Sequence, residues 1–166
     1  MANHARDRWL RLDDGALLKQ CREERYRASG PGGQRRNKVE TALRLHHAPS
    51  GVTVQAEEAR SLAENRVRAL RRLRERIALD VRAPFELEEA ALPDELLAQR
   101  RDGGALAINA RNRGYPIVVA ATLDALAAAD GSYARAARAL GLTTSQLLRF
   151  LRSDREVWRA VEGLRG

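Results

Sequence analysis

A chain of 166 residues with 44% hydrophobic and 31% charged residues can bury one core and a small second module, and it holds no apolar run long enough to cross a bilayer. Its formal net charge of +8 favours phosphate-bearing partners, and its single cysteine, Cys21, excludes an internal disulfide and suits a reducing compartment. The charge is uneven, because residues 1–82 carry 19 Lys and Arg against 11 Asp and Glu while residues 83–166 carry 11 of each.

The first 14 residues mix Arg6, Arg8 and Arg11 with Asp7, Asp13 and Asp14 and contain no signal-like apolar stretch. A cytoplasmic, bacterial-type setting is therefore expected, ahead of a mitochondrial one. Ala16, Leu17, Leu18 and Cys21 form a rough apolar stripe behind Asp13 or Asp14 as N-cap, which predicts a first short helix over Asp13–Arg25, with Cys21 packed inside it. Gly30-Pro31-Gly32-Gly33-Gln34 then rules out helix and regular strand, so a loop is predicted.

Thr41–His47 alternates in polarity, Pro49-Ser50-Gly51 is turn chemistry, and Val52–Gln55 alternates again, which predicts a β-hairpin. His46 and His47 are neighbours on that strand, point to opposite faces and are expected to be structural rather than joint ligands of a metal. From Ser61, the residues Val67, Leu70, Leu73 and Ile77 recur at helical spacing among six arginines, which predicts one long basic helix. Residues 83–115 read as an irregular linker with one or two helical turns. Its part up to residue 108 holds six acids against two arginines. Ile117–Ala129 is almost wholly aliphatic and predicts a buried helix closed by Asp130-Gly131.

Further on, Ala137, Gly141, Leu147 and Phe150, with Leu140 and Leu142 flanking the turn, have the spacing of a helix-turn-helix, and Ser132 and Thr143 or Thr144 are its expected caps. Its second helix would present Ser145, Gln146, Arg149 and Arg152 to a partner, whether RNA, DNA or protein. The expected fold is thus α+β: a small sheet with a hairpin on a long basic helix over residues 1–82, a linker over 83–115, and an all-α module over 116–166.

The order of Arg27-Ala-Ser-Gly-Pro-Gly-Gly-Gln34, Asn37-Lys38, hairpin and basic helix beginning at Arg60-Ser61 resembles the catalytic domain of class I peptide-chain release factors over roughly residues 20–80. The resemblance implies a ribosome-dependent hydrolase that cuts the ester of peptidyl-tRNA, with Gly32, Gly33 and Gln34 as its catalytic loop and no cofactor or metal. Glycine suits that task independently, since a loop entering a crowded RNA cavity must bring its backbone close, without a Cβ in the way, and glycine takes φ > 0 without steric cost. The resemblance further implies that the backbone N–H of Gln34 stabilises the charge developing on the ester while its side chain orients water.

The flanking Arg27, Arg35, Arg36, Lys38, Arg60 and Arg66 are expected to hold phosphates of large-subunit ribosomal RNA and the tRNA end, while Ser29 and Asn37 organise the loop base. No segment has room for a codon-reading domain, which favours codon-independent release, as in stand-alone rescue factors. The alternative is a non-catalytic RNA- or DNA-binding protein dominated by the helix-turn-helix.

Overall fold

The computed structural model of the chain describes residues 4–28, 40–100 and 105–165. These fall into two units, one within residues 11–77 and the other within residues 1–10 and 78–166, whereas composition placed its divisions at 82 and 115. The described residues contain one three-stranded antiparallel sheet and eight helices, an α+β arrangement with a wholly helical C-terminal part.

Two short helices open the chain, α1 (Ala5–Arg11) and α2 (Asp14–Lys19). Asp13 caps α2 by accepting the N–H of Ala16 at 2.8 Å, as its position in the sequence suggests. The helix stops at Gln20, however, and Cys21–Tyr26 forms strand β1. This corrects the expectation of a helix through Arg25. Arg and Glu favour helix locally, but every residue from Cys21 to Tyr26 pairs with β2 (Ala42–His47), and this pairing overrides the propensity. Cys21 therefore opens a strand instead of packing within a helix. Its S–H donates to the Leu17 carbonyl at 3.3 Å, and burial pushes its thiol up to about 11, away from thiolate chemistry.

The hairpin is formed as expected, with β2 paired to β3 (Thr53–Ala56) in a register that sets Leu45 opposite Val54. Gly51 takes φ 73 in the turn, a conformation costly for any residue with a Cβ. Leu43, Leu45, Val54 and Ala56 are buried on the sheet, and Ala69, Leu70, Leu73 and Ile77 are buried on α3 (Leu62–Asp80). Alternation at period 2 and spacing at period 3.6 thus supply the two apolar surfaces of this unit. His46 and His47 have separate roles: His46 Nδ1 meets Thr53 Oγ1 at 2.8 Å, whereas buried His47 meets Ser50 Oγ at 2.7 Å and Gln20 Oε1 at 3.0 Å. The Gln20 oxygen requires the proton on Nε2, and burial lowers the His47 pKa, favouring that neutral form.

In the second unit, a short helix, α4 (Asp94–Ala98), precedes α5 (Tyr115–Ala128), which is buried almost all round from Tyr115 to Leu126. Pro116 lies in the first turn of α5, where its missing N–H costs nothing, and Asp130 and Gly131 at φ 52 and 76 close it. Three helices follow: α6 (Tyr133–Ala139), α7 (Thr144–Arg152) and α8 (Arg155–Arg165). Ser132 caps α6, and Thr143 caps α7 in a capping box with Gln146.

A buried ionic network holds α1 in this unit. Asp124, only 3% exposed, accepts from Arg6 Nη1 at 2.5 Å, from Arg82 Nη1 at 3.1 Å and from the Ala83 N–H at 3.0 Å. Arg6 also donates to Asp7 Oδ1 from Nε and Nη2, and to the Val81 carbonyl.

Candidate catalytic loop and its anchorage

Gly32, Gly33 and Gln34, together with Ser29, Arg35, Arg36, Asn37 and Lys38, lie outside the described residues. The described residues define where that segment leaves the sheet and where it returns. Tyr26 and Ala42 are a ladder pair, so residues 27–41 leave from the end of β1 and come back at the adjacent end of β2. Arg27 is exposed at the departure point.

The return is fastened by Asn65, a fully buried side chain in the first turn of α3. Its Nδ2 donates to the Thr41 carbonyl at 2.8 Å and to the Ala59 carbonyl at 3.0 Å, while its Oδ1 accepts the Ala59 N–H at 2.9 Å. One primary amide thus satisfies three backbone groups, each of which would otherwise lose a hydrogen bond on burial. On the β1 side, Tyr26 donates its hydroxyl to Glu57 Oε2 at 3.1 Å, and the Arg44 guanidinium lies 5.6 Å over its ring. The two loop ends are therefore built into a rigid frame, consistent with accurate placement of a long insertion.

The arginines around this frame divide into two groups. Arg66 forms a two-pronged pair with Glu23 of β1, Nε to Oε2 at 2.8 Å and Nη2 to Oε1 at 2.9 Å. Arg72 donates to the Gln55 carbonyl and pairs with Glu58, and Arg74 reaches the Leu12 carbonyl and Asp14. These three guanidinia brace the helix against the strands and the N-terminal turn. Arg60 and Arg68 are exposed. Of the residues assigned to phosphate contact from sequence, Arg27 and Arg60 are exposed at this end of the unit, whereas Arg66 is already engaged by a carboxylate.

Sequence reading missed Asn65 and Glu23. The available signal was an Asn inside a helical stretch, where its propensity is poor unless the amide has backbone partners.

Pairing with Arg66, then Arg25, holds the Glu23 carboxyl below its ordinary 4.5, although partial burial opposes them. A depressed folded pKa means that this stabilisation is present above about pH 4.5 and fades as pH falls through the lower folded value. Glu23→Gln should cost about 1 kcal/mol at pH 7, since the pair is only partly buried. The difference from wild type should shrink steadily below pH 4.5, as followed by urea midpoints at each pH. An undiminished difference at pH 3 would mean that packing, rather than charge, is what the substitution removes.

A long glycine-rich insertion between the first two strands of a small antiparallel sheet, backed by one arginine-rich helix, defines the class of α+β domain. The chain belongs to the RF-1 domain family, which matches residues 17–115, more than half of its length. The match ends where α5 begins.

Among curated relatives, the chain is 39% identical over 97 residues to peptide chain release factor 1 of Granulibacter bethesdensis, covering 58% of this chain and 24% of that protein. It is 46% identical over 66 residues to peptide chain release factor 1 of Chloroherpeton thalassium, covering 40% and 18%. With peptide chain release factor 2 of Campylobacter lari the identity is 42% over 88 residues, covering 51% and 22%. The aligned part is thus a quarter or less of each of these relatives. Among the described residues, no helix is long and apolar enough to cross a membrane.

Proposed function

We propose that this protein hydrolyses the ester of peptidyl-tRNA on the ribosome, using Gly32, Gly33 and Gln34 as the reacting loop and requiring no codon. The observation that carries this reading is the position of the Gly-Gly-Gln segment, inserted between two paired strands of an RF-1 family domain. The ester is already activated, so the chemistry needs a placed water and a donor aimed at the growing negative charge, and no protein nucleophile or metal is called on.

In this reading the side-chain-free backbone of Gly32 and Gly33 admits the loop beside the tRNA end, and the Gln34 amide meets the oxyanion. Arg27, Arg60 and the exposed Arg68 hold phosphates of large-subunit RNA, with Arg35, Arg36 and Lys38 as further loop cations. Arg66 contributes by keeping β1 in place. The form of the reaction proposed here is codon-independent release, as in ribosome rescue, and the family match over residues 17–115 supports its hydrolytic half.

The test is release of labelled peptide from ribosomes stalled with an empty decoding site, compared with ribosomes holding a stop codon. Wild-type protein should release at similar rates from both. Gly33→Ala should release at least about tenfold more slowly, since an added Cβ would obstruct the close approach of the backbone to RNA and withdraw the free access to φ > 0 that only glycine has, worth roughly 1–2 kcal/mol wherever that conformation is used. Strict dependence on the stop codon would overturn codon independence, and full activity of Gly33→Ala would remove the loop from the mechanism.

A further inference from the structure

The helices beyond the family match form a surface to which the proposed release reaction assigns no role. Ala136 and Ala137 of α6, Leu140 and Leu142 of the turn, and Leu147 and Phe150 of α7 are all buried, and Gly141 turns the chain at φ 65 between the helices. Small Ala136 and Ala137 on α6 let the two helices cross closely, and the turn of only Leu140–Thr143 fixes their angle. The turn is also held from outside, because Arg100 donates to the Gly141 carbonyl at 2.7 Å. This is a rigid helix-turn-helix.

The opposite side of α7 has a different character. Thr144, Ser145, Arg149 and Arg152 are exposed, so short polar side chains occupy its tip and long cations follow one and two turns later. Gln146, expected from sequence to face a partner, instead serves the cap, its Oε1 accepting the Thr143 N–H at 2.8 Å. Arg152 lies 4.9 Å over the Trp158 ring, which fixes its direction. Arg149 and Arg152 have no carboxylate partner among the described residues. Residues 131–165 hold seven arginines against three acids, a basic patch on a half-chain whose net charge is zero.

Charge selects a nucleic acid, and helix geometry selects which kind. The major groove of B-form DNA is wide enough to admit an α-helix, whereas that of A-form RNA is deep, narrow and unreadable by side chains. We propose that α7 enters the major groove of duplex DNA, with Ser145 and Arg149 at base edges and Arg138, Arg152 and Arg155 on flanking phosphates. The proposal does not depend on the release activity and stands or falls separately.

Selection from a pool of random-sequence DNA duplexes with the full-length protein, run in parallel with Arg149→Glu and Arg149→Lys, tests it. The wild type should enrich one short motif, and the winning duplex should bind about a thousandfold or more tightly than a scrambled one. Arg149→Glu should enrich nothing. Arg149→Lys keeps the charge but loses the fork that reads a guanine edge, so it should still bind while relaxing the preference at one position. That change of preference cannot arise from misfolding. Failure to enrich any motif, an unchanged preference in Arg149→Lys, or equal affinity for an RNA duplex of the winning sequence would each overturn the proposal.

Discussion

Gln34→Pro is expected to slow peptide release by about 10²–10³-fold, the usual consequence of losing one oxyanion donor, while Gln34→Ala should lose less. Proline has no N–H and restricts the residue before it to extended backbone, so it would both remove the donor and spoil the freedom of Gly33. Alanine keeps the N–H and removes only the side chain that orients water. The order of the two effects, rather than either size alone, separates a backbone mechanism from a side-chain one. Single-turnover release of labelled peptide at saturating protein reads it directly, because binding is then no longer limiting. Should Gln34→Ala prove the worse of the two, the amide side chain, and not the backbone, would carry the chemistry.

In the sequence, Gly30–Gln34 could not continue any regular element and clean alternation marked the hairpin after it, but the element before it read as a helix where the structure has strand β1, so its position between two paired strands was not legible. The helix-turn-helix was legible. Ala137, Gly141, Leu147 and Phe150 each answer a steric demand local to two crossing helices, and the burial of all but Gly141 follows from that demand. The caps at Ser132 and Thr143 are equally local.

Features that depend on distant partners were not legible. Strand β1 contains four charged residues out of six and reads as helix; it becomes a strand because β2 lies beside it, with Arg44 reaching Glu24 at 3.3 Å across the ladder. Helix α1 has the same difficulty, since Arg6 and Asp7 are buried by partners far along the chain and nothing in Ala5–Arg11 announces it. The arginines of α3 give the sharpest case. Residue type marks Arg66, Arg68 and Arg72 alike as charged positions, yet Arg66 and Arg72 are engaged by Glu23 and Glu58 while Arg68 is exposed, a distinction set by where two strands happen to pass.

The largest stability effect should come from the network those distant partners create. Asp124→Ala would remove the acceptor shared by Arg6, Arg82 and the Ala83 N–H, leaving two guanidinia partly stripped of water with less to bind. Breaking a buried pair from one side typically costs about 3–5 kcal/mol, far above what a surface pair contributes. Arg6 would keep Asp7 and the Val81 carbonyl, which limits the loss without cancelling it. The charge argument makes a further demand. If the cost is uncompensated buried charge, then Arg6→Met, Asp7→Asn and Asp124→Leu together should destabilise less than Asp124→Ala alone, because Arg6 and both of its carboxylate partners lose their charge at once and Arg82 keeps the Ala78 and Ala120 carbonyls. Urea midpoints for the wild type, Asp124→Ala and the triple variant decide it. A triple variant no more stable than the single one would mean that the network acts through the shape and hydrogen bonding of α1 against α5 and not through its charges.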